Sequence, residues 1–493
     1  MKRIFALILI IAMLVPFAVA CDGGDETTTT TTTTTEIIDN DKFTSKDTVK
    51  KDWEGETLLV AATAWGGSPG YPWSTMELVI EEGKTSDWGE KIDKAVLDRT
   101  AYIKKTYGVD VVWFWASRYN THDVLKNAIA AGNEPDYDLA MPRAMRAQAI
   151  VANGSVYDMA NRSYIDFNNS YYNQDSIKTY TAKGHTFFIT GDFATLDKET
   201  AFILYFNKEL LGGEEATEEL YQLVRDGKWT WDKLVTYASA AFKDDGDGRL
   251  GNNDTYGLYT TLLTKYYEYF GVKQAGVDES TGEWEITLND PKANDVVAAI
   301  IEANTSKWAR TAGGALINSW PESSTNPRYG VVEGTILFHN EVIQYIPRLL
   351  SENVGIVPFP MLNEGQGRYR APCAHQQPTL MCVPKTTSDR NMSDYFVDVL
   401  AWTGKEYVME AYYNDFSEIL TSDSDVEMLK EYIIPNITYD AGSAVGWSSL
   451  LGGVLGQAYN GNKNNFANAY AECEYGALQM IKEWNEAWGA YTE

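Results

Sequence analysis

From Glu56 to Met141, short apolar runs alternate with stretches of helical period, and no other feature limits the fold as strongly. Glu56-Thr57-Leu58-Leu59-Val60-Ala61-Ala62 is too short for a helix, and Gly66, Gly67 and Pro69 follow it, so it predicts a buried strand. In Lys91–Tyr107, the residues Ile92, Ala95, Val96, Arg99 and Ile103 recur at the three-four spacing of one helix face. Val109-Asp110-Val111-Val112-Trp113 predicts the second strand, Thr121–Ala131 a second helix, and Asp138-Leu139-Ala140-Met141 a third strand. Strands separated by helices join through crossovers, which gives a mainly parallel sheet covered by helices. After about residue 195 the pattern turns mostly helical. Thr230 predicts the N-cap of a helix starting at Trp231. Near the end, Cys473, Ala477, Ile481, Trp484 and Trp488 share one helical face.

The 493 residues imply at least two packing units. A net charge of −28 repels nucleic acid and anionic headgroups, so neither is expected as a partner. Four cysteines in so long a chain make no disulfide scaffold, and Cys373, Cys382 and Cys473 are expected to be reduced.

Lys2 and Arg3 precede an apolar run from Ile4 to Ala20, the layout of a secretory signal. That run is short of the about 20 residues of a membrane span. Ala18-Val19-Ala20-Cys21 resembles the lipobox of bacterial lipoproteins, which implies a signal peptide over 1–20, cleavage before Cys21 and lipid on its sulfur. The alternative is an ordinary cleaved signal followed by an incidental cysteine. An acidic, glycine-containing stretch and the threonine run Thr27–Thr35 then offer nothing apolar to bury. Residues 21–50 therefore read as a tether of roughly 30 Å as a coil. The lipid is the one expected contact with the cell membrane, with the folded body facing outside the cytoplasm.

Covalent chemistry finds little support. Gly66-Gly67-Ser68-Pro69-Gly70 fits the hydrolase pattern G-x-S-x-G, but the oxyanion hole needs the N–H of the residue after the serine, and Pro69 has none. His122, His185, His339 and His375 show no paired zinc spacing. No phosphate loop follows a strand, and among 69 acidic residues neighbouring carboxylates occur by chance.

Three segments carry a resemblance. Leu204-Tyr205-Phe206-Asn207-Lys208-Glu209-Leu210-Leu211, Gly227-Lys228-Trp229-Thr230-Trp231-Asp232-Lys233-Leu234, and Glu333-Gly334-Thr335 with Phe338 and Val354-Gly355-Ile356-Val357-Pro358-Phe359-Pro360 stand in one order. They resemble, in that order, segments of the maltose-binding-like family 1 of bacterial extracellular solute-binding proteins. The resemblance covers the chain from about Glu56 to its end. It implies an α/β, two-lobe, type II binding-protein fold with an interlobe cleft and three hinge crossings, near Thr190–Ala194, Thr335–Asn340 and Leu380–Pro384. The N-terminal lobe is then 51–192 plus 338–382, and the C-terminal lobe 193–337 plus 383–493.

Function follows as an expectation: a monomeric, non-enzymatic component of an ABC importer that captures a carbohydrate and delivers it to the permease. The ligand of such proteins lies at the strand ends between the lobes. Aromatic rings there cover a sugar's C–H face while polar groups take its hydroxyls. Trp65 follows the first strand and Arg143 the third; Asp192 and Phe193 sit at the first crossing and His339 at the second. Tyr267 lies where relatives contact ligand, and Trp447 resembles their late stacking tryptophan. On sequence alone, each of these serves a core or surface role equally well. Trp229 and Trp231 read as packing residues. Lys243–Asp254 resembles the family's calcium loop, with Asp245, Asp247 and Asp254 as ligands; Lys243 stands where the first aspartate belongs, which leaves open both a register shift that brings in Asp244 and a self-capped polar turn. No cofactor is required. The rival functions are capture of another small solute such as a peptide or cationic compound, a surface glycoside hydrolase, and an adhesive lipoprotein.

Overall fold

The computed structural model describes residues 52–64, 89–117, 120–260, 262–311, 329–349, 351–374, 378–420, 422–444 and 451–491. All lie within the unit Lys51–Glu493. Cys21, the tether, Trp65 and Trp447 lie outside the described residues.

The alternation predicted for 56–141 forms a three-stranded parallel sheet. Its strands are β1 (Thr57–Ala64), β2 (Asp110–Ser117) and β3 (Leu139–Met141), in the order β2-β1-β3. β1 is central because both of its faces are apolar: Leu58, Val60, Ala61 and Ala62 are all buried. Helix α1 (Glu90–Tyr107) connects β1 to β2, burying Ile92, Val96, Arg99 and Ile103 as its spacing requires. Glu90 and Asp93 in its first turn and Lys104 and Lys105 in its last suit the helix dipole. Helix α2 (Thr121–Ala130) connects β2 to β3.

A second, five-stranded sheet contains β4 (Phe202–Asn207), β5 (Tyr256–Thr260), β6 (Ala309–Thr311), β7 (Ile336–Val342) and β8 (Val354–Val357). Its order is β6-β5-β7-β4-β8, with β4 antiparallel to both neighbours and the other pairs parallel. Every residue of β4 is buried, as expected of an interior strand. Gly257 is required where β5 meets the helix Trp231–Ala241: a Cβ there would lie 2.0 Å from the Ala238 carbonyl oxygen. Trp229 and Trp231 are buried, and the Trp229 indole N–H donates to the Pro358 carbonyl at 3.0 Å. Thr230 precedes the helix as predicted, but its side chain makes no capping bond; Trp231 instead donates its N–H to the Met361 carbonyl.

The lobe boundaries differ from the sequence reading. Thr335–Asn340 is no crossing, because β7 is paired on one side by β5 and on the other by β4. Residues 338–357 thus belong with the five-stranded sheet. The chain returns to the three-stranded side between Cys373, which pairs with Ala201, and Thr379, which pairs with Arg143. Leu380–Pro384 lies beyond that crossing, with Cys382 bridged to Ala140 and Val383 paired with Tyr157. The helix Arg390–Thr403 stays on the same side, placing Tyr395 and Phe396 against Trp53 and Tyr107. The first crossing, near Asp192, leads from Ile189, bridged to Met381, to β4. By Asp425, whose carboxylate accepts the Ile356 N–H of β8, the chain is back on the five-stranded side.

The C-terminal helix Phe466–Gly489 buries Ala477, Ile481, Trp484 and Trp488, the predicted face, with Cys473 half-buried. Trp488 meets Phe187 on one side and Trp284 on the other, so one helix packs against both lobes. Cys373, Cys382 and Cys473 are free. Among the described residues no helix is long and apolar enough to cross a membrane.

Candidate functional site

The parallel strands of each sheet share one C-terminal edge, which is where open α/β sheets bind ligands. In the smaller sheet, β3 runs directly into Pro142 and Arg143. This loop is fixed by the Leu380 N–H donating to the Pro142 carbonyl and the Ala144 N–H donating to the Pro378 carbonyl. Arg143 is buried there, only 1% exposed.

In the larger sheet, β5 ends at Thr260 and β6 at Thr311, both buried, with Arg310 and His339 buried beside them in sequence and register. The His339 ring lies 5.2 Å from that of Tyr259. Arg310 sits 5.4 Å over the Tyr256 ring and donates to Asn252 Oδ1 at 2.9 Å; burial pulls its guanidinium below its usual range. Beyond Thr260 the short helix Tyr266–Tyr269 brings in Tyr266 and Tyr267, whose phenols burial pushes well up. They remain neutral hydrogen-bonding groups at any physiological pH. Asn340 Nδ2 donates to Tyr269 Oη at 2.8 Å and to the Ile203 carbonyl at 3.0 Å, which orients its amide.

Of the residues singled out from sequence, Arg143, Tyr267 and His339 are thus buried on or just beyond strands of the two sheets. Tyr267 also packs near Phe466, with ring centroids 6.4 Å apart. Phe193 is buried in the first crossing. Asp192 lines a different space, a cavity of about 1400 Å³ whose walls include none of Arg143, Tyr267 and His339. Its carboxylate lies 3.1 Å from Lys198 Nζ. Burial raises the Asp192 carboxyl, and Lys198 opposes that rise. Asp192 is therefore an ion-pair residue of the crossing. Tyr259, Thr260, Tyr266 and Arg310 were not singled out. The αβ alternation that ends at Ala309–Thr311 was the available signal for Arg310.

The proposed calcium ligands are not assembled as the spacing implied. Asp254 is buried, and its two carboxylate oxygens accept the N–H groups of Asp245 and Gly251. The carboxylates that do converge are Asp244, Asp245 and Asp247, all exposed, with one oxygen of each within 4.8 Å of the others. Each already accepts a local N–H: Asp244 from Gly246 and Gly248, Asp245 from Asp247, and Asp247 from Arg249. The six to eight oxygens that calcium takes would then include backbone carbonyls and water beside these three carboxylates. The N–H bonds that these aspartates accept hold the turn.

Residues 99–432 match the family described as bacterial extracellular solute-binding protein. No curated protein matches the chain. Among solved structures, the chain is similar to the sugar-binding protein MalE from Xanthomonas citri at a TM-score of 0.55 and 12% identity, over 88% of this chain and 100% of that one. The cyclic alpha-maltosyl-1,6-maltose binding protein from Arthrobacter globiformis gives a TM-score of 0.52 at 12% identity, over 88% and 98%. The GacH receptor of Streptomyces glaucescens, solved with acarbose, gives 0.50 at 15% identity, over 87% and 98%. At such identities the likeness is one of fold.

Proposed function

Since the chain belongs to the bacterial extracellular solute-binding proteins, we propose that it captures a carbohydrate, in particular an oligosaccharide, between its two lobes and delivers it to an ABC permease. One observation carries this reading: the strands and loops flanking the cleft edge supply tyrosine rings together with hydroxyl, imidazole and guanidinium groups. Tyr259, Thr260, Tyr267 and His339 lie on the larger sheet's side and Arg143 on the smaller's. Rings of this kind cover the C–H face of a pyranose, and the polar groups pair with its hydroxyls. That the fold neighbours include a sugar-binding protein and a receptor solved with acarbose supports the ligand class. Trp65 and Trp447, outside the described residues, serve as stacking residues in this reading. Lipid on Cys21 holds the protein at the outer face of the cell membrane, and the threonine tether lets the folded body reach the permease.

Members of this family bind substrates and do not transform them. Purified protein incubated with a panel of oligosaccharides is expected to release saturable heat and to leave the sugars intact. Cleavage products would convert the reading to a glycoside hydrolase, and heat from peptides alone would move the ligand class. Calcium is not needed in this account. A chelator is expected to leave the melting temperature unchanged; a fall reversed by calcium and abolished in Asp244→Ala would restore a metal to the loop.

A further inference from the structure

The 1400 Å³ cavity lies away from the strand ends, and its charged groups are unevenly paired. Around Asp192 they are balanced. Lys198 lies 3.1 Å from Asp192 and 3.5 Å from Asp197, and although burial opposes its charge, these carboxylates hold the ammonium above its usual range.

The other group is not balanced. Lys273 and Arg368 both approach one carboxylate, Asp175, and Arg370 stands two residues from Arg368, packed over Gly271. Lys273 Nζ lies 3.4 Å from Asp175 Oδ2, and Arg368 Nη2 lies 3.6 Å from Oδ1. Both separations exceed the usual length of a charged hydrogen bond, and Lys273 Nζ reaches Thr179 Oγ1 at 3.4 Å as well. The Tyr439 N–H occupies Oδ2 as well, at 2.9 Å. Arg370 is packed over Gly271, whose missing side chain makes room for it: a Cβ there would lie 3.1 Å from the guanidinium Nε. That Nε is buried and has no hydrogen-bond acceptor among the described residues. Burial, the Arg368 charge beside it and too little compensation from Asp175 pull the guanidinium below its usual range.

Three cations thus cluster near one carboxylate on the wall of an open cavity whose lining also carries Glu279, Asp290, Glu406 and Glu410, none of which lies within ion-pair distance of them among the described residues. We propose that Lys273, Arg368 and Arg370 form a binding site for a small oxyanion, a phosphate or carboxylate group, separate from the sugar site. Two guanidinium forks and an ammonium match such a group in charge and in donor geometry. The site also spans the hinge. Asp175 belongs to the helix Gln174–Tyr180 on the smaller sheet's side, while the three cations come from segments on the larger sheet's side. An anion bound there draws on both lobes.

The test is a calorimetric titration of the full chain with inorganic phosphate and, separately, with citrate, each against chloride at matched ionic strength. Saturable binding of at least one is expected, and which anion binds identifies the class of group. The double variant Arg368→Gln/Arg370→Gln should weaken that binding at least tenfold. Asp175→Asn, which removes the competing carboxylate, should tighten it, an effect that loss of fold cannot mimic. Absence of saturable binding of both anions to the wild type, or unchanged binding in the double variant, overturns the proposal. Neither result bears on sugar capture, which uses other residues.

Discussion

Asp425→Ala is expected to destabilise the folded body by about 3–5 kcal/mol, the cost of removing one partner from a buried charge pair. The Asp425 side chain is fully buried, and it is the point where three elements meet. It accepts the Tyr221 phenol at 2.6 Å, the Ile356 N–H of β8 at 2.9 Å and the Ser422 hydroxyl at 2.7 Å, with Lys208 Nζ at 3.2 Å. Alanine leaves all four donors facing a cavity, one of them a cation with little access to water. Denaturant unfolding should show a large fall in midpoint with an unchanged slope. Tyr221→Phe removes a single donor to this charged group and should cost about 1.5–3 kcal/mol. If Asp425→Ala cost less than Tyr221→Phe, the carboxylate would not be organising this junction.

The second large effect concerns ligand. Trp447→Ala is expected to raise the sugar dissociation constant on the order of tenfold or more, about 1.4 kcal/mol, with little change in stability of the unliganded protein. Gly442, Ser443, Gly446, Ser448 and Ser449 surround it in sequence, so the indole is the large side chain of a small-residue stretch. The helical turn Ala441–Ala444 just before it packs against both Ala144–Arg146, next to Arg143, and the strand Ala275–Val277. Calorimetry with the wild-type ligand measures the change. A large loss of melting temperature with unaltered affinity would make Trp447 a core residue instead.

Much of this was legible in the sequence because it is written locally. β1, α1, β2, α2 and β3 emerged within a few residues of their predicted bounds, since an apolar run or a helical face is a property of consecutive residues. Which sheet a strand joins is not local. Ile336–Val342 reads as a strand in either lobe, and only pairing with β4 and β5, far away in sequence, decides it. The same limit applies to single side chains. Thr230 has the residue type and position of a cap, but the neighbouring N–H is taken by Met361. Asp254 has the spacing of a metal ligand, yet burial turned its oxygens toward backbone N–H groups. Arg143 was singled out because the residue after a strand is predictable, Tyr267 through the resemblance, and His339 through a crossing that β7, paired on both sides, does not make. The cluster of Asp175, Lys273, Arg368 and Arg370 had no sequence signal, being assembled from three distant segments.

The central claim is that two lobes close on a carbohydrate, and small-angle scattering with and without saturating sugar tests it most directly. Ligand that binds the closed form better must shift the population toward it. The radius of gyration of the folded body should contract at saturation with the sugar that gives calorimetric heat, and it should stay unchanged with a sugar that gives none. An unchanged radius at full occupancy would contradict the clamp, whichever residues hold the ligand.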